Sequence, residues 1–260
     1  MTFEQLLVEQ NGELLRVTIN RPGKRNALSR GLLDELRTVF TVYANRTDIK
    51  LAVLSGAGDK CFSAGGDLYD LANVRSAEQT KAMSHGARDA LSAVRDFPTP
   101  VIAALNGDAL GGGAELALSC DFIVARQDIR IGFIQGRMNI GTAWGGGIRL
   151  MERLGPTMAL RLLARSELVA ATEAKAIGLI DVMAENEDSL QDTVDAFVAP
   201  MLNQVPQVMR AFKALRLGYG RTLSLPELEK LETDHLVSTW THDDHWAAVS
   251  KVLTGIETKR

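Results

Sequence analysis

An α/β core followed by an all-helical tail is the fold class that this 260-residue sequence predicts. Three observations predict it. Short apolar runs with strand character alternate with helical patterns as far as LIDVMA, residues 179–184. From Glu187 onward only helical patterns remain. Two glycine-rich loops, FSAGGDL (62–68) and ALGGGAEL (109–116), each follow a buried-looking strand. Alternation followed by helices alone separates a core from an appended helical region, with the boundary placed at residue 200. The expected division is residues 1–200 as core and 201–260 as a helical extension that folds back or packs on other subunits.

The elements follow in order. FEQLLVEQ and ELLRVTIN flank Asn11-Gly12, the strongest short hairpin signal. Leu15, Val17 and Ile19 alternate as a half-buried strand should. NRPGKRNALS (20–29) is a turn-rich segment, and its Ser29 is the expected N-cap of a helix from Arg30 to Ala44. Leu33, Leu36, Val39, Phe40 and Tyr43 mark the inner side of that helix. IKLAVLSG (49–56) reads as a strand buried on both faces, and GAGDKCFSAGGDL (56–68) as a loop. A long helix is expected from Ser76 to Phe97, stopped before Pro98. PVIAAL (100–105) is the next buried strand, followed by turn-prone Asn106-Gly107-Asp108 and a helix start at the triple glycine. FIVAR and IRIGF are two short strands. Helices are expected over Ile148–Leu154, Met158–Ala164 and ATEAKAIGL, the last stopped by Gly178. The tail divides into helices ending at Leu202, Leu217, Trp240 and Leu253.

Composition excludes several classes. Hydrophobic residues make up 46% and charged residues 23%, with a formal net charge of −3. That balance gives no global attraction for nucleic acid or an acidic membrane surface. Cys61 and Cys120 are too few for a disulfide scaffold and lack metal-ligand spacing, which fits buried thiols in a cytoplasmic protein. No apolar run approaches the roughly 20 residues of a membrane helix. The His242-Asp-Asp-His245 pair sits in the helical tail without a further ligand and is read as a helix end, so no metal site is expected.

The chemistry concentrates in the two glycine loops. A strand, a glycine turn and a helix start leave bare backbone N–H groups facing a ligand. Glu115 lies three residues beyond Gly112 and so shares a helix face with it. A donor for developing negative charge and a proton-moving carboxylate then lie side by side.

The order and spacing of NRPGKRNALS, FSAGGDL and ALGGGAEL resemble the enoyl-CoA hydratase/isomerase (crotonase) family over essentially the whole chain. That resemblance implies a spiral of ββα units with a C-terminal helical trimerisation region, assembled as a homotrimer or a hexamer built from two trimers. The implied ligand is an acyl-CoA thioester, with coenzyme A part of the substrate and no separate cofactor. The amides of Gly66 and Gly112 would form an oxyanion hole, and Glu115 would be catalytic. Lys24, Arg25 and Ala27 would lie near the nucleotide end of coenzyme A, and Ala64, Asp67 and Leu68 along its pantetheine and adenine.

One position departs from the family pattern. A hydratase of this kind uses a second glutamate in a segment reading PE. Counting back from AWGGG places Gln135 there; anchoring on Gly141 places Arg137 there. Neither is an ordinary acid–base at neutral pH. The sequence therefore leads with decarboxylation of a short 2-carboxyacyl-CoA, ethylmalonyl- or methylmalonyl-CoA, which needs an enolate site and one acid. Trp144-Gly145-Gly146 and the tail around Trp240 also resemble decarboxylase-like members. In that reading Gln135 donates to the substrate carboxylate, Arg137 clamps it or forms an ion pair, and Trp144 walls the pocket. Hydration with a substituted second residue and non-catalytic acyl-CoA binding are the alternatives.

Overall fold

A computed structural model describes residues 2–185 and 190–257, with side chains to residue 252. Two sheets carry the core. The larger has six strands in the order β1 (Leu6–Asn11), β2 (Leu14–Ile19), β3 (Leu51–Gly56), β5 (Val101–Leu105), β7 (Phe122–Ala125) and β10 (Val182–Met183). The smaller has four, β4 (Cys61–Ser63), β6 (Asp108–Leu110), β8 (Arg130–Gly132) and β9 (Val169–Ala170). β1 and β2 form the expected antiparallel hairpin, with Gly12 at φ 60° in the turn. From β2 onward the large-sheet strands run parallel.

Successive chain segments repeat one plan. A strand joins the large sheet, a short strand joins the small sheet, and a helix follows. β3 and β4 lead to α2 (Ala77–Arg95), β5 and β6 to α3 (Gly112–Ala117), and β7 and β8 to α4 (Gly146–Leu154) and α5 (Pro156–Arg165). This is the ββα spiral that the family resemblance implied. In the small sheet β8 falls within the expected strand IRIGF, whereas β4 and β6 are the strands that sequence reading assigned to a loop and a turn. β4 lies inside the expected loop 56–68, and Asp108, expected in a turn, opens β6. The three residues of β4 and of β6 are too few to show an alternation.

α1 (Arg30–Tyr43) starts where expected, because the Ser29 hydroxyl accepts the Leu32 N–H at 3.2 Å. Leu32, Leu33, Leu36, Val39 and Phe40 bury its inner face. α2 opens with a full capping box between Ser76 and Gln79. α1 and α2 pack together, and Phe40 meets Phe97 edge to face with centroids 5.4 Å apart. Each fully buried side chain of this size contributes roughly 1.5–3 kcal/mol. After the short helix α6 (Ala171–Ala176), Gly178 takes φ 81° as the expected stop. α7 (Leu190–Leu202) lays Val194 and Val198 over the outer face of the large sheet, against Leu14, Leu51, Val53 and Val124. Glu187, taken as its start, falls outside the described residues.

α8 (Pro206–Gly220) is bolted to the core. Lys213, 2% exposed, pairs with the Asp121 carboxylate, which also accepts the Val101 N–H at 2.8 Å. α9 (Leu225–Trp240) buries none of its residues, and α10 (Asp243–Glu257) follows it. His242 and His245 sit at the junction, where His242 bonds Gln207 and the His245 ring stacks on Trp240. No helix among the described residues is long and apolar enough to cross a membrane.

Candidate active site

The two glycine loops lie against each other because both follow strands of the small sheet. β4 pairs with β6, and the chain leaves each at the same end. Gly65 at φ 93° and Gly111 at φ 53° make the turns. A Cβ on Gly65 would stand 2.8 Å from the Leu110 carbonyl oxygen and 3.1 Å from the Gly112 nitrogen, so only glycine permits this approach. A Cβ on Gly113 would stand 2.3 Å from the Ser63 carbonyl oxygen.

The turn-rich segment 20–29 clamps the first loop. The Ala64 N–H donates to the Arg25 carbonyl at 3.0 Å, Leu28 N–H to the Gly65 carbonyl at 2.7 Å, and Asp67 N–H to the Leu28 carbonyl at 3.0 Å. Asn26, 1% exposed, supports the turn by donating to the Ala57 and Cys61 carbonyls. Lys24, Arg25, Ala27, Ala64, Asp67 and Leu68 are thereby brought into one neighbourhood. Lys24 and Arg25 are exposed, and Leu68 is 63% exposed. Asp67 is buried and paired with Arg21 at 2.8 Å. Burial pushes its pKa up, but the Arg21 guanidinium and the amides of Asp70 and Tyr69 outweigh this and hold it below the ordinary carboxylate range. Its carboxylate thus braces the loop rather than facing open solvent.

Among the described residues, the amides of Gly66 and Gly112 have no hydrogen-bond acceptor. Glu115, 3% exposed, stands one turn beyond Gly112. Its Oε1 accepts the Trp144 N–H at 3.1 Å and the Gly146 N–H at 2.9 Å, and its Oε2 accepts Gln135 Nε2 at 2.9 Å. Gly146 is the first residue of α4, two positions earlier than expected, so the carboxylate also faces a helix N-terminus. Burial raises the Glu115 pKa above its ordinary value; the three donors and the Arg88 charge offset this in part. The group can therefore hold or release a proton nearer neutrality than a surface glutamate.

Gln135, not Arg137, is the residue that meets Glu115. Arg137 Nε donates to the Ser166 carbonyl at 2.7 Å, on the α5 side. The Gln135 side chain is buried, and its Oε1 has no partner among the described residues. The Trp144 indole packs on both glycines: a Cβ on Gly112 would lie 2.3 Å from its ring, and one on Gly66 would lie 3.2 Å from it. Ser84 Oγ and Arg88 Nη2 from α2 donate to the Ala143 carbonyl at 2.9 and 3.0 Å and fix the strap carrying Trp144.

Sequence reasoning missed Arg21, Asn26 and the part played by Gly146. An Asn in the middle of a Pro-Gly turn was the available signal for Asn26. Gly146 was legible as part of Trp144-Gly145-Gly146, but its hold on Glu115 was not, because that contact spans 31 residues of chain.

Comparison with known proteins agrees with this architecture. A model of the enoyl-CoA hydratase/isomerase family matches residues 9–253. A crotonyl-CoA hydratase from Syntrophomonas wolfei is 33% identical over 214 residues, covering 82% of each chain. A short-chain-enoyl-CoA hydratase from Clostridium acetobutylicum is 32% identical over 213 residues, covering 82% of this chain and 81% of its own. The crystal structure of an enoyl-CoA hydratase from Bacillus anthracis superposes with a TM-score of 0.88 at 28% identity, covering 99% of this chain and 97% of that one. The span matched by the family model begins within β1, ends within α10 and contains both glycine loops and Glu115. The chain belongs to the enoyl-CoA hydratase/isomerase family.

Proposed function

We propose that this protein hydrates a 2-enoyl-CoA thioester with Glu115 as its one proton-transfer group. The observation that carries the reading is the Glu115 carboxylate, buried beside two unpaired glycine amides and hydrogen-bonded to Gln135, which stands where the family pattern has a second carboxylate. The relatives named as hydratases support hydration over the decarboxylation that Gln135 suggested from sequence.

The chemistry follows from the donors. The thioester oxygen accepts from the Gly66 and Gly112 amides. Water adds to the β carbon as Glu115 takes one of its protons, and the double-bond electrons move onto the thioester oxygen as an enolate. Two preorganised amides suit that charge; losing one such donor costs roughly 2.7–4 kcal/mol of barrier. Oε1 already accepts two N–H groups, so the proton goes to Oε2. Glu115 then returns it to the α carbon, and the enolate collapses to the 3-hydroxyacyl thioester. One water supplies both added groups. Gln135 orients Oε2 with its Nε2 and offers Oε1 as an acceptor for the water. Lys24 and Arg25 supply local positive charge for the phosphates of coenzyme A, and the assembly is a trimer or a pair of trimers.

Decarboxylation is the second reading, favoured by the absence of a titratable proton on Gln135. Loss of carbon dioxide leaves a thioester enolate at the same two amides without a base, and protonated Glu115 quenches it. Crotonyl-CoA and methylmalonyl-CoA separate the two. The hydration reading expects loss of the enoyl absorbance with the first and no carbon dioxide from the second. Carbon dioxide release without hydration would replace it by the decarboxylase reading. Binding of both with no turnover would leave an acyl-CoA-binding protein.

A further inference from the structure

We propose that the Trp144 indole is the specificity-determining residue of this site, restricting the acyl group to a short chain. The inference rests on the acyl-thioester reading above. Trp144 is 8% exposed, and its ring packs on the Cα faces of both glycines whose amides would hold the thioester oxygen. The ring therefore borders the carbons next to the thioester. Space filled by the indole is space withdrawn from the acyl group. Beside the ring at Gly66, Leu71 Cδ1 also stands 3.1 Å from where a Cβ would be.

The ring acts as a fixed wall because its backbone is tied on every side. The Trp144 N–H is bonded to Glu115, the preceding carbonyl of Ala143 is held by Ser84 and Arg88, and Gly145 turns the chain at φ 101° into α4. A longer chain must push the indole aside, and that disturbs the residue whose amide positions the Glu115 carboxylate. Length is thus penalised both in binding and in proton transfer. A few methylenes against such a wall are worth at least tenfold in selectivity, since one methylene accounts for about 10–200-fold in a well-fitted pocket.

The test compares wild type, W144F and W144A on crotonyl-CoA and trans-2-octenoyl-CoA. The affinities of unreactive butyryl-CoA and octanoyl-CoA are measured beside them by calorimetry. In wild type, kcat/KM for the four-carbon substrate should exceed that for the eight-carbon one at least about tenfold. W144A should erase that preference, mainly by lowering KM for the longer chain, with W144F between the two. The butyryl to octanoyl affinity ratio should move the same way. W144F keeps an aromatic ring in the core, and its smaller shift decides the matter if W144A does not fold. Equal handling of both lengths by wild type, or unchanged ratios in the variants, overturns the proposal. If neither enoyl thioester is hydrated yet the affinity ratio shifts, the hydration reading falls and the acyl wall stands. No measurable binding of either saturated thioester overturns both.

Discussion

Glu115 is held by three donors that serve two different ends. The amides of Trp144 and Gly146 fix Oε1, and Gln135 steers Oε2, the oxygen left with an open lone pair. Burial outweighs their help and raises the pKa, so the charged form is costly in the folded protein. A raised carboxylate favours folding most below its unfolded pKa, and that advantage is lost as pH rises through the folded value. E115Q should therefore melt at a higher temperature than wild type at pH 8, because Gln keeps an acceptor for the two amides and carries no charge. Thermal melts of both proteins at that pH check this. Q135E would put two carboxylates within 2.9 Å of one another. They cannot both ionise readily, so the acid limb of the pH–rate profile should move to higher pH than in wild type.

Short elements set the site, and this is where sequence reading was weakest. The hairpin, α1 and α2 were legible from Asn11-Gly12, from Ser29 with its apolar spacing, and from Ser76, because each signal is local. β8 was legible within IRIGF, but β4 and β6 blurred into loops and turns, since three residues inside glycine-rich segments show no periodicity. The loops themselves were legible as a pair, and Glu115 as their neighbour. The strap carrying Trp144 and the start of α4 were not, because their role depends on contacts some 30 residues away in sequence. A Cβ on Gly146 would lie 2.1 Å from the Glu115 Cγ, so the buried Glu115 side chain would have to shift. G146A should keep the fold yet lower kcat by about a hundredfold, as expected for a displacement near 1 Å at a reacting group. Steady-state kinetics beside a circular dichroism spectrum separate that from unfolding.

At the scale of the whole molecule, the helical tail is joined to the core through a buried charge. Lys213 on α8 reaches Asp121 at the start of β7, with Arg216 3.1 Å from the same carboxylate. Burial lowers the Lys213 pKa, opposed by Asp121. Removing Lys213 leaves the buried Asp121 carboxylate with the half-exposed Arg216 as its one charged partner, and breaking such a buried pair costs up to roughly 3–5 kcal/mol. K213A should lose about that much stability in urea denaturation. Beyond α8, α9 presents Leu236, Val237 and Trp240 to solvent, each more than half exposed, with Trp246 of α10 beside them at 50%. That apolar run on a helix with no buried residue is the surface the proposed trimer would cover. Sedimentation of the wild type as a monomer would remove that assignment.

The most direct test of the account is the pH dependence of crotonyl-CoA hydration in wild type and E115Q. One carboxylate working alone predicts that kcat/KM rises with pH through a single ionisation above the ordinary glutamate range. It also predicts that E115Q loses about 10²–10⁴-fold of the rate together with that limb. Hydration that persists at the wild-type rate in E115Q, with the limb unchanged, would contradict it.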